Sequence, residues 1–262
     1  MPELPDVETF KRYLDATSLH KTIAEVDVRS ERLVAGATPD ELASTLRGHA
    51  FTSTRRHGKH LFALLDGGGA LELHFGMTGE LEAYQDSGRE PEYAQAVFAF
   101  ENGDHLALVM PRKLGELRLV DDVDAFVEEQ ALGPDALDDA FDADAFVRAL
   151  SGRRGMIKSA LMTQELLAGL GNVYSDEVLF QAGVHPRTKV TDLDEAKLRE
   201  LYRTMRRVLR VVVDHRARPD ELPDGYLTGR REEGAPCPRC DGEIRTIEVS
   251  GRTGYYCPDC QD

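Results

Sequence analysis

No cysteine occurs before position 237 of the 262-residue chain, and no apolar run approaches the ~18 residues that a membrane-spanning helix needs. The first absence argues against a disulfide framework spread through the fold. The second excludes a spanning helix and leaves no membrane partner. The start, Met1-Pro2-Glu3-Leu4-Pro5-Asp6, has neither a basic leader nor an apolar signal core, which argues for a cytoplasmic rather than a secreted protein. Internal repeats and low-complexity tracts are also absent. Lysine is scarce, 7 residues against 25 arginines, and 47 acids against 32 bases leave a net charge of −15, which at face value disfavours nucleic acid. The deficit is local, however. Residues 121–144 hold ten acids and no base, while from position 151 onward 18 bases balance 18 acids. An acid-rich, lysine-poor chain also suits a salt-rich cytoplasm. With 41% apolar and 30% charged residues, the chain has the makings of two modest globular domains.

Periodicity predicts a helix over residues 5–19, where Val7, Phe10 and Leu14 recur on one face and Pro5 sits where a first turn tolerates it. Strands are expected at 23–28, 51–54, 60–65, 70–75, 97–101 and 105–109. A short helix at 39–47 should carry a capping box from Thr38 and Glu41. Asn102-Gly103 fits a type I′ turn between the last two strands. The acidic stretch with Gly133-Pro134 reads as a bridge, after which helices are expected at 144–150, 158–167, 173–181 and 193–215.

Cys237-Pro-Arg-Cys240 and Cys257-Pro-Asp-Cys260 form two CxxC knuckles sixteen residues apart. This spacing fits a zinc ribbon better than disulfides or a redox pair, and four thiolates leave no open coordination position, so one structural zinc is expected. Arg252, in Ser250-Gly251-Arg252-Thr253-Gly254 between the knuckles, is either a solvated turn residue or a phosphate contact. Upstream, Gly169-Leu170-Gly171-Asn172 joins two helical patterns, with Asn172 placed to cap the second. A helix start suits a phosphate. Arg153, Arg154 and Lys158 add charge nearby, and a basic helix carries Arg199, Arg203, Arg206, Arg207 and Arg210.

Removal of Met1 would leave Pro2 as a secondary amine. An α-amino group titrates near ~8 against ~10.4 for lysine, so its unprotonated fraction at neutral pH is a few hundredfold greater. Such an amine can attack a sugar C1′ to form an iminium, with Glu3 beside it to move protons.

Pro2-Glu3-Leu4-Pro5-Asp6-Val7-Glu8 resembles the N-terminus of the formamidopyrimidine-DNA glycosylase/endonuclease VIII family. The likeness continues in that family's order. Arg56-His57-Gly58-Lys59-His60-Leu61 resembles its lysine hairpin, His74-Phe75-Gly76-Met77-Thr78-Gly79 its methionine loop, and Pro111-Arg112-Lys113-Leu114-Gly115 its arginine loop. The glycine turn with Asn172 and the cysteine spacing are similar to its helix-two-turn-helix and zinc finger. The resemblance implies an α+β fold: a helix plus β-sandwich over residues 1–120, an acidic linker at 121–143, a helix-two-turn-helix domain at 144–228 and a zinc finger at 229–262. It implies a monomeric DNA glycosylase and lyase of base excision repair acting on damaged double-stranded DNA. Pro2 would attack C1′, Glu3 would assist ring opening, Lys59 would serve β-elimination and Arg252 δ-elimination. Lys158, Asn172 and Arg252 would grip phosphates, with Gln95 and Arg154 also against DNA. Met77 and Arg112 would fill the gap left by the flipped nucleotide.

Four departures bear on the lesion. Leu114 stands where the formamidopyrimidine branch usually has phenylalanine, Met110 where it has aspartate, and Gln95 near the position of a DNA-contacting histidine. The stretch after His215 is shorter than the loop that branch folds over 8-oxoguanine. Oxidised purines, formamidopyrimidine and 8-oxoguanine, are the expected substrates. An endonuclease VIII-like preference for oxidised pyrimidines, a glycosylase without lyase activity, and a non-catalytic zinc-ribbon nucleic-acid binder stand as alternatives.

Overall fold

The computed structural model describes residues 1–262, which fall into two compact units: Met1–Pro2 with Asp6–Ala131, and Glu3–Pro5 with Leu132–Asp262. The fold is mixed α+β. In the first unit, α1 (Leu4–Thr17; its first two residues group with the second unit) is followed by β1 (Ile23–Val28), β2 (Val34–Ala35), α2 (Pro39–Leu46), β3 (Phe51–His57), β4 (His60–Leu65), β5 (Ala70–His74), β6 (Glu80–Tyr84), β7 (Ala94–Phe100), β8 (His105–Val109), β9 (Glu116–Val120) and α3 (Val123–Glu129). Two sheets form, one ordered β1-β7-β8-β6 and the other β2-β9-β5-β4-β3. One core draws on both: Val26, Phe98 and Leu108 from the first meet Leu61, Leu71 and Leu117 from the second, with Val7 and Leu14 of α1 among them. The strands alternate inward and outward residues, so packing one face of each sheet against the other yields a sandwich.

The capping box at α2 forms as its spacing predicts: Thr38 Oγ1 accepts from the Glu41 amide while the Glu41 carboxylate takes the Thr38 amide. The β7–β8 turn differs from expectation. Only Gly103 has a positive φ, at 88°, and its amide bonds to the Phe100 carbonyl while the Phe100 amide bonds to Asp104. Glu101 and Asn102 therefore occupy an ordinary turn and Gly103 the left-handed bulge position; a type I′ turn would need Asn102 at positive φ as well. Strands β2, β6 and β9 were not expected from periodicity.

In the second unit, α4 (Ala143–Leu150), α5 (Ile157–Met162), α6 (Asn172–Ala182) and α7 (Glu195–Asp214) precede a hairpin of β10 (Arg245–Val249) and β11 (Arg252–Tyr256). Leu161, Leu170, Leu179, Leu201 and Leu209 share its core with Leu4. Helix α5 ends five residues short of expectation. Thr163 O accepts from both Leu166 and Leu167, and the Gln164 amide bonds the carbonyls of Met162 and Leu170, so the chain turns instead of continuing as helix. A smaller core of Phe180, Leu227, Ile244, Cys237 and Cys257 backs the hairpin.

Residues 121–143, expected as an acidic linker, contain α3 and divide between the units after Ala131. Their acids have local work. Asp122 caps α3 and Asp142 caps α4. Asp124 pairs with Arg55 at 2.5 Å, Asp139 with Arg206 at 2.6 Å, and Asp144 with Arg199 at 2.5 Å.

Candidate functional site

Helix α6 begins on a tight glycine turn because Gly169, at φ +117°, and Gly171 let the chain reverse; a Cβ on Gly169 would stand 2.5 Å from the Leu4 side chain. The exposed N–H groups at this start were expected to bind phosphate. They hold Glu3 instead. Its carboxylate accepts from the amides of Gly171 at 2.7 Å, Val173 at 2.8 Å and Tyr174 at 3.2 Å. A carboxylate satisfies a helix start as well as a phosphate does, through the same unpaired donors and partial positive charge. Leu4 N bonds to Gly169 O at 3.0 Å, so residues 3 and 4 are both fixed to the turn and Pro2 directly precedes this anchor.

With Glu3 in place Asn172 is not the cap. Gly171 takes that position, and Asn172 is the first helical residue. Its Nδ2 donates to the Thr253 carbonyl at 2.8 Å, one residue along β11 from Arg252. Arg252 is exposed at the start of β11, just past a turn in which Ser250 and Gly251 both have positive φ (52° and 71°). Ser159 Oγ meets Ser250 Oγ at 2.7 Å, and Arg187 donates to the Glu248 carbonyl at 2.9 Å, so the turn is held from two sides.

Lys158 requires a correction. Its side chain is 0% exposed, ion-paired to the equally buried Asp176, and a direct grip on a phosphate is closed to it. Burial pushes its ammonium below the usual lysine range, an effect Asp176 opposes. Gln95 is corrected likewise: it is 6% exposed on β7, with Nε2 on the carbonyls of Tyr93 and Ala94, and presents nothing to a duplex. Arg154 is exposed in the loop before α5. The basic face of α7 is partly spoken for, since Arg199, Arg206 and Arg210 each pair with acids of the 121–144 stretch.

In the first unit Lys59 occupies the second position of the β3–β4 turn and is 7% exposed. Gly58 supplies the positive φ (58°) that a two-residue hairpin needs at its first position. Arg56 braces the turn by bonding Glu8 at 2.9 Å and the Gly58 carbonyl at 3.2 Å. Behind it lies a buried polar group: His60 Nδ1 sits 2.8 Å from Glu72, and the His60 and His74 rings are 5.2 Å apart. Burial holds the Glu72 carboxyl up, and burial together with His60 and Lys59 brings His74 down to about 4.

Met77 (41% exposed), Arg112 and Leu114 (53% exposed) present their side chains from two loops packed backbone to backbone. A Cβ on Gly76 would lie 2.3 Å from the Leu114 carbonyl oxygen, so only glycine lets the loops meet. The two loops thus expose apolar side chains, Met77 and Leu114, and one planar cationic side chain, Arg112, of the kinds that can enter a base stack.

The four cysteines converge. Sγ separations are 3.8 Å for Cys237–Cys260, 3.6 Å for Cys240–Cys257 and 3.4 Å for Cys240–Cys260. Tetrahedral zinc with Zn–S bonds of ~2.3 Å would space its sulfurs about 3.8 Å apart, so the set fits one ion. Amides of Arg239 and Gly242 donate to Cys237 and Cys240 at 3.4 Å each, hydrogen bonds that would orient the two thiolates and offset their charge at zinc.

Sequence reasoning passed over Asp176, Glu177, Arg231 and the His60–Glu72 pair. Acids at 176 and 177 directly ahead of the apolar run Val178-Leu179-Phe180 were the available signal, since a charged residue is rarely buried without a partner. Glu177 takes the Thr228 amide and hydroxyl, both at 2.7 Å, and Gln181 Nε2 at 2.8 Å. Gln181 in turn donates to the Gly225 carbonyl, so the short segment after α7 is tied down at its end.

Residues 1–117 match the formamidopyrimidine-DNA glycosylase N-terminal domain, 132–219 the formamidopyrimidine-DNA glycosylase H2TH domain, and 234–262 the zinc finger found in FPG and IleRS. The chain is 36% identical over 262 residues to the formamidopyrimidine-DNA glycosylase of Moorella thermoacetica (99% of this chain, 92% of that one). It is 37% identical over 279 residues to that of Heliobacterium modesticaldum, covering both chains fully. A Lactococcus lactis formamidopyrimidine-DNA glycosylase bound to DNA with an abasic site superposes with TM-score 0.89 at 29% identity, covering 99% of each chain. The wild-type enzyme of that organism, in complex with DNA containing N7-benzyl-Fapy-dG, gives 0.91 at 27% identity over the whole of both.

Proposed function

The chain belongs to the formamidopyrimidine-DNA glycosylase family and is a DNA glycosylase of base excision repair with one structural zinc, and we propose that it excises oxidised purines from duplex DNA through Pro2 and then cuts the strand. The lone pair of the Pro2 nitrogen, freed by loss of Met1, forms a bond to C1′. The glycosidic bond breaks, and the base leaves with its electron pair and takes up a proton. The Glu3 carboxylate takes the proton that the Pro2 nitrogen loses after its attack and passes it to O4′ as the sugar ring opens to the iminium. Lys59 serves removal of the C2′ proton in β-elimination, after which Arg252 stands by the remaining phosphate for δ-elimination. Water then releases Pro2. Asn172, Arg154 and Arg252 hold backbone phosphates, and Met77 with Arg112 occupies the space of the extruded nucleotide, recovering part of the few kcal/mol of lost stacking. The protein works as a monomer at the nucleoid.

One observation supports this reading most: Glu3 is fastened by three hydrogen bonds to the glycine turn, so the terminus beside it is held at a fixed place rather than left to wander. Reduction with borohydride on an abasic duplex is the test. The parent should cross-link and Pro2→Thr should not; equal cross-linking by both would overturn the assignment. A pyrimidine preference is the second reading, favoured by the brief 216–225 segment that Gln181 ties down. Single-lesion duplexes with 8-oxoguanine or an oxidised pyrimidine separate the two by rate.

A further inference from the structure

Asp176, Lys158 and Arg231 have no part in the steps above, yet the three charges meet in one buried place. Asp176 Oδ1 takes Lys158 Nζ; Oδ2 takes Arg231 Nη2 at 2.7 Å and the Tyr255 amide of β11 at 3.1 Å. Lys158 Nζ and Arg231 Nη2 also both donate to the Asn172 carbonyl, each at 3.3 Å. The guanidinium lies over the Tyr255 ring, 4.8 Å from its centroid. Strand β11 presses against this group with its backbone: a Cβ on Gly254 would stand 2.9 Å from Lys158 Nζ and 3.0 Å from Asp176 Oδ1. The next residue back, Thr253, receives the Asn172 amide, and the one before it is Arg252.

Apolar side chains of the same volume could hold the hairpin against α6 at least as firmly, because burying charges is unfavourable even when they are paired. What the charged group adds is direction. Its donors and acceptors fix, at set angles, one carbonyl of Asn172 and one amide of β11. Those two points determine where the Asn172 side chain and the Arg252 strand stand relative to each other. We infer that Arg231, acting through Asp176, is a positioning residue that holds Asn172 and Arg252 as one preformed phosphate grip. The inference rests on the reading that Asn172 and Arg252 hold the DNA backbone.

A double-mutant cycle on the full zinc-loaded protein tests it, with affinity measured for a duplex carrying a tetrahydrofuran abasic analogue. Arg252→Ala should weaken binding about tenfold and lower the slope of log affinity against log salt by about one. Arg231→Met should do nearly the same with zinc still at one per chain, although Arg231 itself is mostly buried. In the Arg231→Met background, Arg252→Ala should then cost less than about twofold, since the grip is already lost. Arg231→Lys, which keeps the charge on Asp176, should restore part of the affinity and carries the cycle if the methionine variant loses its zinc. Additive losses, or an Arg231→Met salt slope equal to the parent's, would overturn the positioning role. Parent-like binding by Arg252→Ala alone would instead sink the underlying reading, and the positioning role with it.

Discussion

Glu3 has a place in the fold and, in the function proposed, a second one in the chemistry. Its carboxylate takes three amides at the start of α6. Glu3→Gln keeps the shape but removes the anion and one acceptor, and should lower the base-excision rate by roughly 10²–10⁴. It should lower stability by only on the order of 1 kcal/mol. A thermal melt and a single-turnover assay on the same sample check both, and a rate within threefold of the parent would remove Glu3 from the proton transfers. His74 makes a pH prediction. Burial, with His60 and Lys59, brings its imidazole down to about 4 against about 6.5 in the unfolded chain. The neutral form is the native one, so this contribution is complete above pH ~6.5 and is lost as pH falls toward 4, on the order of 3 kcal/mol in all. Glu72, held up by burial, works in the opposite sense and loses its contribution as pH rises. Urea unfolding at stepped pH should show a flatter acid limb for His74→Gln than for the parent; superimposable limbs would contradict the assignment. Single-residue chemistry was only partly legible beforehand. Motif order picks out Pro2, Glu3, Lys59 and Arg252 as candidates, whereas the burial of Lys158 and Gln95 left no trace, because a lysine beside a basic loop reads the same whether its partner is a phosphate or a buried Asp176.

Among elements, the capped helix α2 was the most readable, and the β7–β8 turn and the strands with distant partners the least. The Thr38–Glu41 box is local chemistry, complete within four residues, and Thr38→Ala should cost about 1 kcal/mol in a denaturant titration, with no change in excision rate. The turn at Gly103 depends on which of two neighbours carries the positive φ, and β6 and β9 become strands only through partners far along the chain: Leu81 against Leu108, and Leu117 against Leu73. Pairing of that kind leaves little trace in local periodicity. The zinc hairpin was legible because ligand spacing is itself a contact prediction. Structural zinc contributes on the order of 10 kcal/mol to such a module. Chelation should therefore unfold the β10–β11 hairpin and abolish duplex binding, while the strand signal of the first unit persists in circular dichroism. Duplex binding that survives complete zinc removal would show that Arg252 is not needed for it.

For the whole molecule the net charge of −15 and an affinity for DNA are compatible because the acids are concentrated and locally engaged, in caps and in pairs with Arg55, Arg199 and Arg206. Salt should act on the two properties in opposite directions. Screening relieves the self-repulsion of an acidic chain, so the melting temperature should rise from dilute to molar salt. Affinity for duplex should fall, with a log–log slope of about −0.9 per phosphate held. A protein most stable in dilute buffer would contradict the first expectation. The claim on which the rest depends is the identity of the nucleophile, and the direct measurement is peptide mass mapping of the borohydride-trapped complex. The account predicts the sugar remnant on an N-terminal peptide that begins at Pro2, without Met1; a remnant on Lys59, or a trapped chain that still carries Met1, would contradict it.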